Sequence, residues 1–343
     1  MRLAGERRAF AAAVLGAMFL VQLVSVLMDV GDIPTIAKTT GYGLGFFALV
    51  AGYRLARPLA LAVLAVNVAL AVLAMLGGGL DEMAMVFLGA HVVAMLALLG
   101  KDDLAYIRIV GERRAIGAIV LAFYGLAYLV LGYMVGGGMG PALWALAAVY
   151  GAAFFALVAG YFWARWFGVG VLLFGIIQGA IGLWQMGPEP VVIFMAASHA
   201  IAALALWGAA MAVPYDGQTG WREKFHMDDS AVQRLGRSVI RAGVSLPMVL
   251  LYAFAPKPEG MLLGALAVVL ATGGLVALVR MRTWGVLALG AAGVTLLVAT
   301  GEQTAMGTGL DAASLLGGAV LVSVVVPFAR AIAGHLRAPA RAV

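Results

Sequence analysis

Two histidines are the residues whose type and position in this sequence best suit chemistry. His91 and His199 each lie near the middle of a long apolar stretch. Neutral imidazole is a common axial ligand of haem iron, so the two side chains could hold a haem b or another tetrapyrrole in a redox or pigment-binding protein. Alternatively, each histidine is a structural side chain that forms a hydrogen bond to a neighbouring helix, because polar groups in lipid find protein partners.

Two amide side chains favour the structural interpretation. Asn67 and His91 are equidistant from the turn expected between them, and Gln178 and His199 are equidistant from theirs. Each amide therefore lies at the depth of its histidine, where an unsatisfied polar group costs several kcal/mol. The sequence predicts two structural hydrogen bonds, Asn67–His91 and Gln178–His199. It favours no cofactor, with haem b on His91 and His199 as the alternative.

Basic residues at the predicted inner turns could hold lipid phosphates or anchor the chain at the membrane surface. They are Arg54, Arg57, Arg165, Arg280 and Arg282. Anchoring explains all of these arginines. The predicted partners are the bilayer, including its anionic lipids, and other membrane protein subunits. Nucleic acid is not expected, because the net charge of +6 has a simpler explanation as a cytoplasmic retention signal.

Metal and thiol chemistry are not favoured. The chain has no cysteine, which excludes disulfides, thiolate metal sites and thiol nucleophiles. Glu223, His226, Asp228 and Asp229 stand in the polar segment 213–237, but their irregular spacing fits no ligand template. A short interfacial helix is predicted there, capped by Ser230. No metal ligand and no catalytic residue is predicted.

The elements that carry these residues are membrane helices. Hydrophobic residues make up 64% of the 343-residue chain and charged residues 11%, against roughly 45–50% and about 25% in soluble proteins. Apolar runs of about 20 residues, the length of one bilayer crossing, predict twelve spans. They lie at 9–29, 34–53, 58–76, 82–100, 115–136, 141–162, 166–186, 190–212, 238–255, 260–280, 284–300 and 310–329.

The basic residues also predict the orientation. All but Lys38 and Lys257 of the 22 lysines and arginines fall at the termini or in alternate loops, and such residues are retained in the cytoplasm. Both termini are therefore predicted to be cytoplasmic. The short loops and the composition suggest a bacterial inner membrane.

An internal repeat organises the chain. Residues 42–57 and 150–165 are similar at an offset of 108, which also aligns His91 with His199, and the motif Gly-Glu-Arg-Arg-Ala occurs at both 5–9 and 111–115. We predict an all-α bundle of three tandem, parallel four-helix repeats, because units with an even number of helices insert in the same orientation. The predicted domains are repeat 1 at 1–110, repeat 2 at 111–212, a cytoplasmic loop at 213–237, and a degenerate repeat 3 at 238–343.

Three classes of function remain. A non-catalytic membrane subunit or scaffold fits the polar-poor interior best, because charged residues inside spans usually mark function and none lies in the middle of a predicted span. A channel or carrier for a small or apolar solute is the first alternative, and a haem- or pigment-binding redox protein the second. An enzyme is not expected.

Overall fold

The computed structural model describes residues 3–30, 33–53, 55–78, 82–99, 111–255, 261–305 and 312–329, and all of its regular elements in these ranges are helical. The helices are α1 (Leu3–Ser25, followed by a π-helical turn at Val26–Val30), α2 (Ile33–Ala51), α3 (Ala56–Gly78), α4 (Glu82–Leu98), α5 (Gly111–Val135), α6 (Gly140–Ala159), α7 (Ala164–Met186), α8 (Pro190–Leu206), α9 (Ala209–Ala212), α10 (Thr219–Lys224), α11 (Asp229–Phe254), α12 (Met261–Val279), α13 (Trp284–Ala305) and α14 (Ala312–Val322, followed by a 3-10 turn at Ser323–Phe328).

Seven segments of the described residues are long and apolar enough to cross a bilayer. They are Gly5–Met28, Gly111–Val135, Gly140–Ala159, Ala164–Met186, Asp229–Phe254, Met261–Val279 and Trp284–Gln303. The all-α class is thereby confirmed, and the helices are those of a membrane protein. Four further helices have apolar stretches of 10–17 described residues, at Ala56–Val72, Met85–Leu98, Pro190–Leu206 and Ala312–Phe328. Helix α2, at the predicted span 34–53, is in neither group, so the count of twelve spans stays a prediction.

The described residues fall into two compact units. The first unit lies within Met1–Ala122 and Phe154–Tyr161. In it α1 packs against α2 and α4, α2 against α3, and α3 against α4, so these four helices form a closed bundle. Its core is built from alanine and leucine side chains such as Ala12, Leu15, Leu49 and Leu64, all fully buried.

The second unit lies within Phe123–Ala153 and Phe162–Val343. In it α7 packs against α8 and α11, while α11 to α14 pack in sequence and α14 returns to α11. Helices α7 and α11 touch through their backbones, since a Cβ on Gly170 would lie 2.5 Å from the Ile240 carbonyl oxygen. Small residues permit this close approach in membrane helices.

The segment 213–237 differs from its prediction. Helix α11 runs unbroken from Asp229 to Phe254, so the expected interfacial helix and the ninth span are one element. Its cap is Asp228 rather than Ser230: the Asp228 carboxylate accepts hydrogen bonds from the Ala231 backbone N–H and the Ser230 hydroxyl. These hydrogen bonds, the backbone one first, lower the pKa of Asp228. The charged cap is therefore lost only when the pH falls through that lowered value.

Candidate functional site

Each buried histidine forms a hydrogen bond to a tyrosine. In the first unit the distance from His91 Nε2 to Tyr42 Oη is 2.7 Å, and in the second unit that from His199 Nε2 to Tyr150 Oη is 2.9 Å. Both histidines and both tyrosines are fully buried. The tyrosines come from α2 and α6, so each imidazole Nε2 is engaged in a hydrogen bond between two helices.

The second ring nitrogen fixes the tautomer. Nδ1 of His91 lies 2.7 Å from the Phe87 carbonyl oxygen, and Nδ1 of His199 lies 2.7 Å from that of Met195. A carbonyl only accepts hydrogen bonds, so Nδ1 carries the hydrogen and Nε2 of the neutral ring accepts from the tyrosine hydroxyl. Nε2 is therefore the nitrogen that could bind a metal, and the tyrosine occupies its lone pair.

The surroundings of His199 leave little space at its ring. A Cβ placed on Gly175 of α7 would lie 2.0 Å from His199 Cδ2, so the glycine backbone lies directly against the imidazole. The Tyr124 ring centroid lies 4.1 Å from that of His199, and the Tyr124 hydroxyl bonds Ser198 at 2.8 Å. Iron could reach Nε2 only if Tyr150 moved away.

The predicted amide partners are wrong. Asn67 Nδ2 donates to the Val63 carbonyl of its own helix at 2.9 Å. Gln178 Nε2 is buried and has no hydrogen-bond partner among the described residues. Depth along a helix does not fix rotation about its axis. In α7, Gly175 and Gly179 lie against α8, and Gln178 is offset from Gly179 by about 100° around the helix.

Sequence reasoning missed the two tyrosines, although the sequence carries a signal for them. Tyr42 and Tyr150 are separated by 108 residues, the same interval that separates His91 from His199. Two buried polar residue types that recur at one offset could have been paired with each other. Matching depth, the criterion that favoured the amides, is weaker than recurrence.

Tyr150→Phe is expected to destabilise the protein by about 1–2 kcal/mol. The substitution keeps the ring and leaves His199 Nε2 buried without a donor, a penalty of about 1–3 kcal/mol in proteins generally, although hydrogen bonds between membrane helices average about 0.6 kcal/mol. Thermal unfolding in detergent measures the change. Tyr133→Phe is the matched control because Tyr133 is 83% exposed. Equal unfolding temperatures for both variants would contradict the assignment.

A second set of buried polar residues lies in the first unit, where the repeated Gly-Glu-Arg-Arg motifs contact helix ends. Arg114 Nε donates to the Val50 carbonyl at 2.7 Å, near the end of α2. Arg8 Nη2 donates to the Val158 carbonyl at 2.8 Å, near the end of α6. The last carbonyls of a helix lack partners within the helix, and a cation also suits their partial negative charge. We call these two contacts, together with the glutamate, tyrosine and glycine contacts described next, the reciprocal clasp.

Glutamates and glycines extend the reciprocal clasp. Glu6 accepts a hydrogen bond from Tyr161, and Glu112 lies 3.5 Å from the Tyr53 hydroxyl. A Cβ on Gly5 would lie 2.1 Å from the Ala159 carbonyl oxygen, and a Cβ on Gly111 would lie 2.1 Å from that of Ala51. Only glycine permits this approach, so every position of the clasp has a counterpart in the other motif.

The predicted inner-turn arginines have different surroundings. Arg165 Nε and Nη2 donate to the two carboxylate oxygens of Asp216 at 2.8 and 2.7 Å. Arg57 is half-buried, and Arg280 and Arg282 are exposed near the turn between α12 and α13. Arg54 lies outside the described residues.

Among the described residues, no three or more His, Asp or Glu side chains are grouped as they would be to hold a metal ion. No known protein family, curated protein or solved structure matches the chain.

Proposed function

We propose that the protein is a non-catalytic membrane subunit or scaffold of a larger membrane assembly. The observation that carries this proposal is the pairing of both ring nitrogens of His91 and of His199 with protein groups. A histidine that served as ligand, acid or base would need one nitrogen available to its substrate or metal. Here each imidazole holds two helices together instead.

The reciprocal clasp supports the repeat architecture as part of this proposal. The first Gly-Glu-Arg-Arg motif contacts the end of α6, and the second contacts the equivalent end of α2. Such an exchange of equivalent contacts is that of a two-fold axis. Phe46 and Phe154, which are equivalent at the offset of 108, stack on each other with ring centroids 6.1 Å apart. Equivalent residues that touch lie on the axis. In addition, α11 to α14 pack in the same closed order as α1 to α4.

The proposed membrane topology follows from these repeats and from the basic residues. Twelve spans arranged as three parallel four-helix repeats place both termini on the cytoplasmic side, where most lysines and arginines lie. We assign the protein to a bacterial inner membrane on its short loops and composition. The shorter apolar helices then cross with tilt or local thinning of the bilayer.

Affinity purification tests the proposal. The tagged chain is extracted from its native membrane in a mild detergent, beside an untagged strain and a tagged membrane protein of similar size. We expect another membrane protein to co-purify in a fixed ratio with this chain alone. The isolated chain, reconstituted in liposomes, is expected to produce no solute flux above that of empty vesicles.

Two results would contradict the proposal. If no other membrane protein co-purifies with the chain in a fixed ratio, the protein is not a subunit of a stable assembly. Solute flux from the isolated chain would favour the channel or carrier. The variant Gly89→Ala is a suitable tagged comparison. Its added Cβ would meet no atom within 4 Å, so loss of the companion from this variant would indicate that handling alone disrupts the assembly.

A further inference from the structure

A cavity of about 310 Å³ lies in the second unit where α7 begins and α8 ends. Three structural parts line it: the first turn of α7, the connection that contains α9, and the first turns of α11. Its charged and aromatic lining residues are Arg165, Trp166, Trp207, Asp216 and Arg237. Arginine and tryptophan together are typical of the membrane–water interface.

The positive and negative charges of the side chains that line the cavity do not cancel. Asp216 is bound through both carboxylate oxygens by Arg165, and each of these side chains is nearly buried, with 13% of Arg165 and 11% of Asp216 exposed. This pair is neutral and fixed in place. Arg237 is exposed and forms no ion pair with a described residue. The cavity therefore has one uncompensated positive charge beside a rigid polar wall.

The apolar part of the lining is also ordered. Trp166 is 5% exposed and packs under α11, since a Cβ on Gly236 would lie 2.7 Å from its indole ring. Trp207 is 57% exposed and forms the open side, and Val232 and Ile240 complete the apolar surface. A cation above an apolar wall suits a molecule with a phosphate at one end and hydrocarbon at the other.

We infer that this cavity binds the phosphate headgroup of an anionic phospholipid, with an acyl chain along Trp207. Its volume is at the lower end of the range for small-molecule sites, about 300–1,000 Å³, which fits a headgroup rather than a whole lipid. Arg237 supplies the charge that recognises the phosphate. The site would exist whether the protein is a scaffold or a carrier, so its test is separate from the one above.

Brominated lipids test this inference, because bromine on an acyl chain quenches a tryptophan that it touches. The full-length protein is placed in phosphatidylcholine vesicles that contain a fixed fraction of brominated phosphatidylglycerol or brominated phosphatidylcholine. The Trp207 signal is obtained by subtracting the Trp207→Phe variant. We expect stronger quenching by the phosphatidylglycerol, and we expect Arg237→Gln to reduce that preference about fivefold.

Arg234→Gln is the matched control. It removes the same charge from the same helix one turn earlier, and Arg234 does not line the cavity; we expect it to leave the preference unchanged. Millimolar inorganic phosphate is expected not to reverse the quenching. Equal quenching by the two lipids, an equal loss in Arg234→Gln, or competition by free phosphate would each overturn the lipid assignment.

Discussion

Gly111→Ala is expected to lower the stability of the protein by about 1–3 kcal/mol, the usual cost of forcing an extra group into a packed interior. The new Cβ would lie 2.1 Å from the Ala51 carbonyl oxygen, and a backbone atom cannot move aside cheaply. Gly5→Ala places its Cβ at the same distance from the Ala159 carbonyl oxygen. The two variants are expected to lose similar stability, because the reciprocal clasp uses both positions alike.

Gly89→Ala is the control for this pair. Gly89 also lies in a helix of the first unit, but its added Cβ would meet no atom within 4 Å. Alanine has a higher helix propensity than glycine, by about 1 kcal/mol in soluble helices, so this variant is expected to be as stable as the wild type or more so. The unfolding temperatures of all three variants, measured in one detergent, test these expectations. Wild-type stability of Gly111→Ala and Gly5→Ala would contradict the clasp.

Gly175→Ala is expected to cost about 1–3 kcal/mol for a similar steric reason. Its Cβ would lie 2.0 Å from Cδ2 and 2.2 Å from Nε2 of His199. The imidazole cannot turn away without losing a hydrogen bond, because both of its nitrogens are engaged. Helices α7 and α8 must therefore separate, which weakens their packing.

A double-mutant cycle measures this clash directly. Gly175→Ala in a His199→Ala background is expected to cost almost nothing, since the ring that it strikes is gone. Gly151→Ala is the matched control, because Gly151 lies in α6 of the same unit and its Cβ would meet no atom within 4 Å. Additive losses in the double variant would show that Gly175 does not pack on the imidazole.

Composition and apolar run length were sufficient to predict an all-α protein with several helices long enough to cross a bilayer, because hydrophobicity and length determine which segments enter it. The count of twelve spans stays a prediction. The start of α11 was harder to predict. The polar composition of the segment 213–237 favours a short interfacial helix, yet α11 begins at Asp229 and continues through Arg234, Arg237 and Arg241 into the apolar sequence. A helix tolerates these arginines at its polar end, since their long side chains can extend to water.

The partners of the buried histidines could not be obtained from depth alone. Hairpin geometry places Asn67 level with His91, but the amide binds its own helix and Tyr42 reaches the imidazole from α2. Predicting that contact requires knowledge of which helices are neighbours and how each is rotated. The sequence contains that information only indirectly, through residues such as Tyr42 and Tyr150 that recur with the histidines.

The visible absorbance spectrum of the affinity-purified protein tests most directly the claim that His91 and His199 are structural. Haem bound through a histidine produces an intense Soret band. Because a tyrosine hydroxyl occupies Nε2 of each ring, we expect no such band from the wild type, with or without added haem b. A Soret band in the wild type that disappears in His91→Ala or His199→Ala would contradict the account.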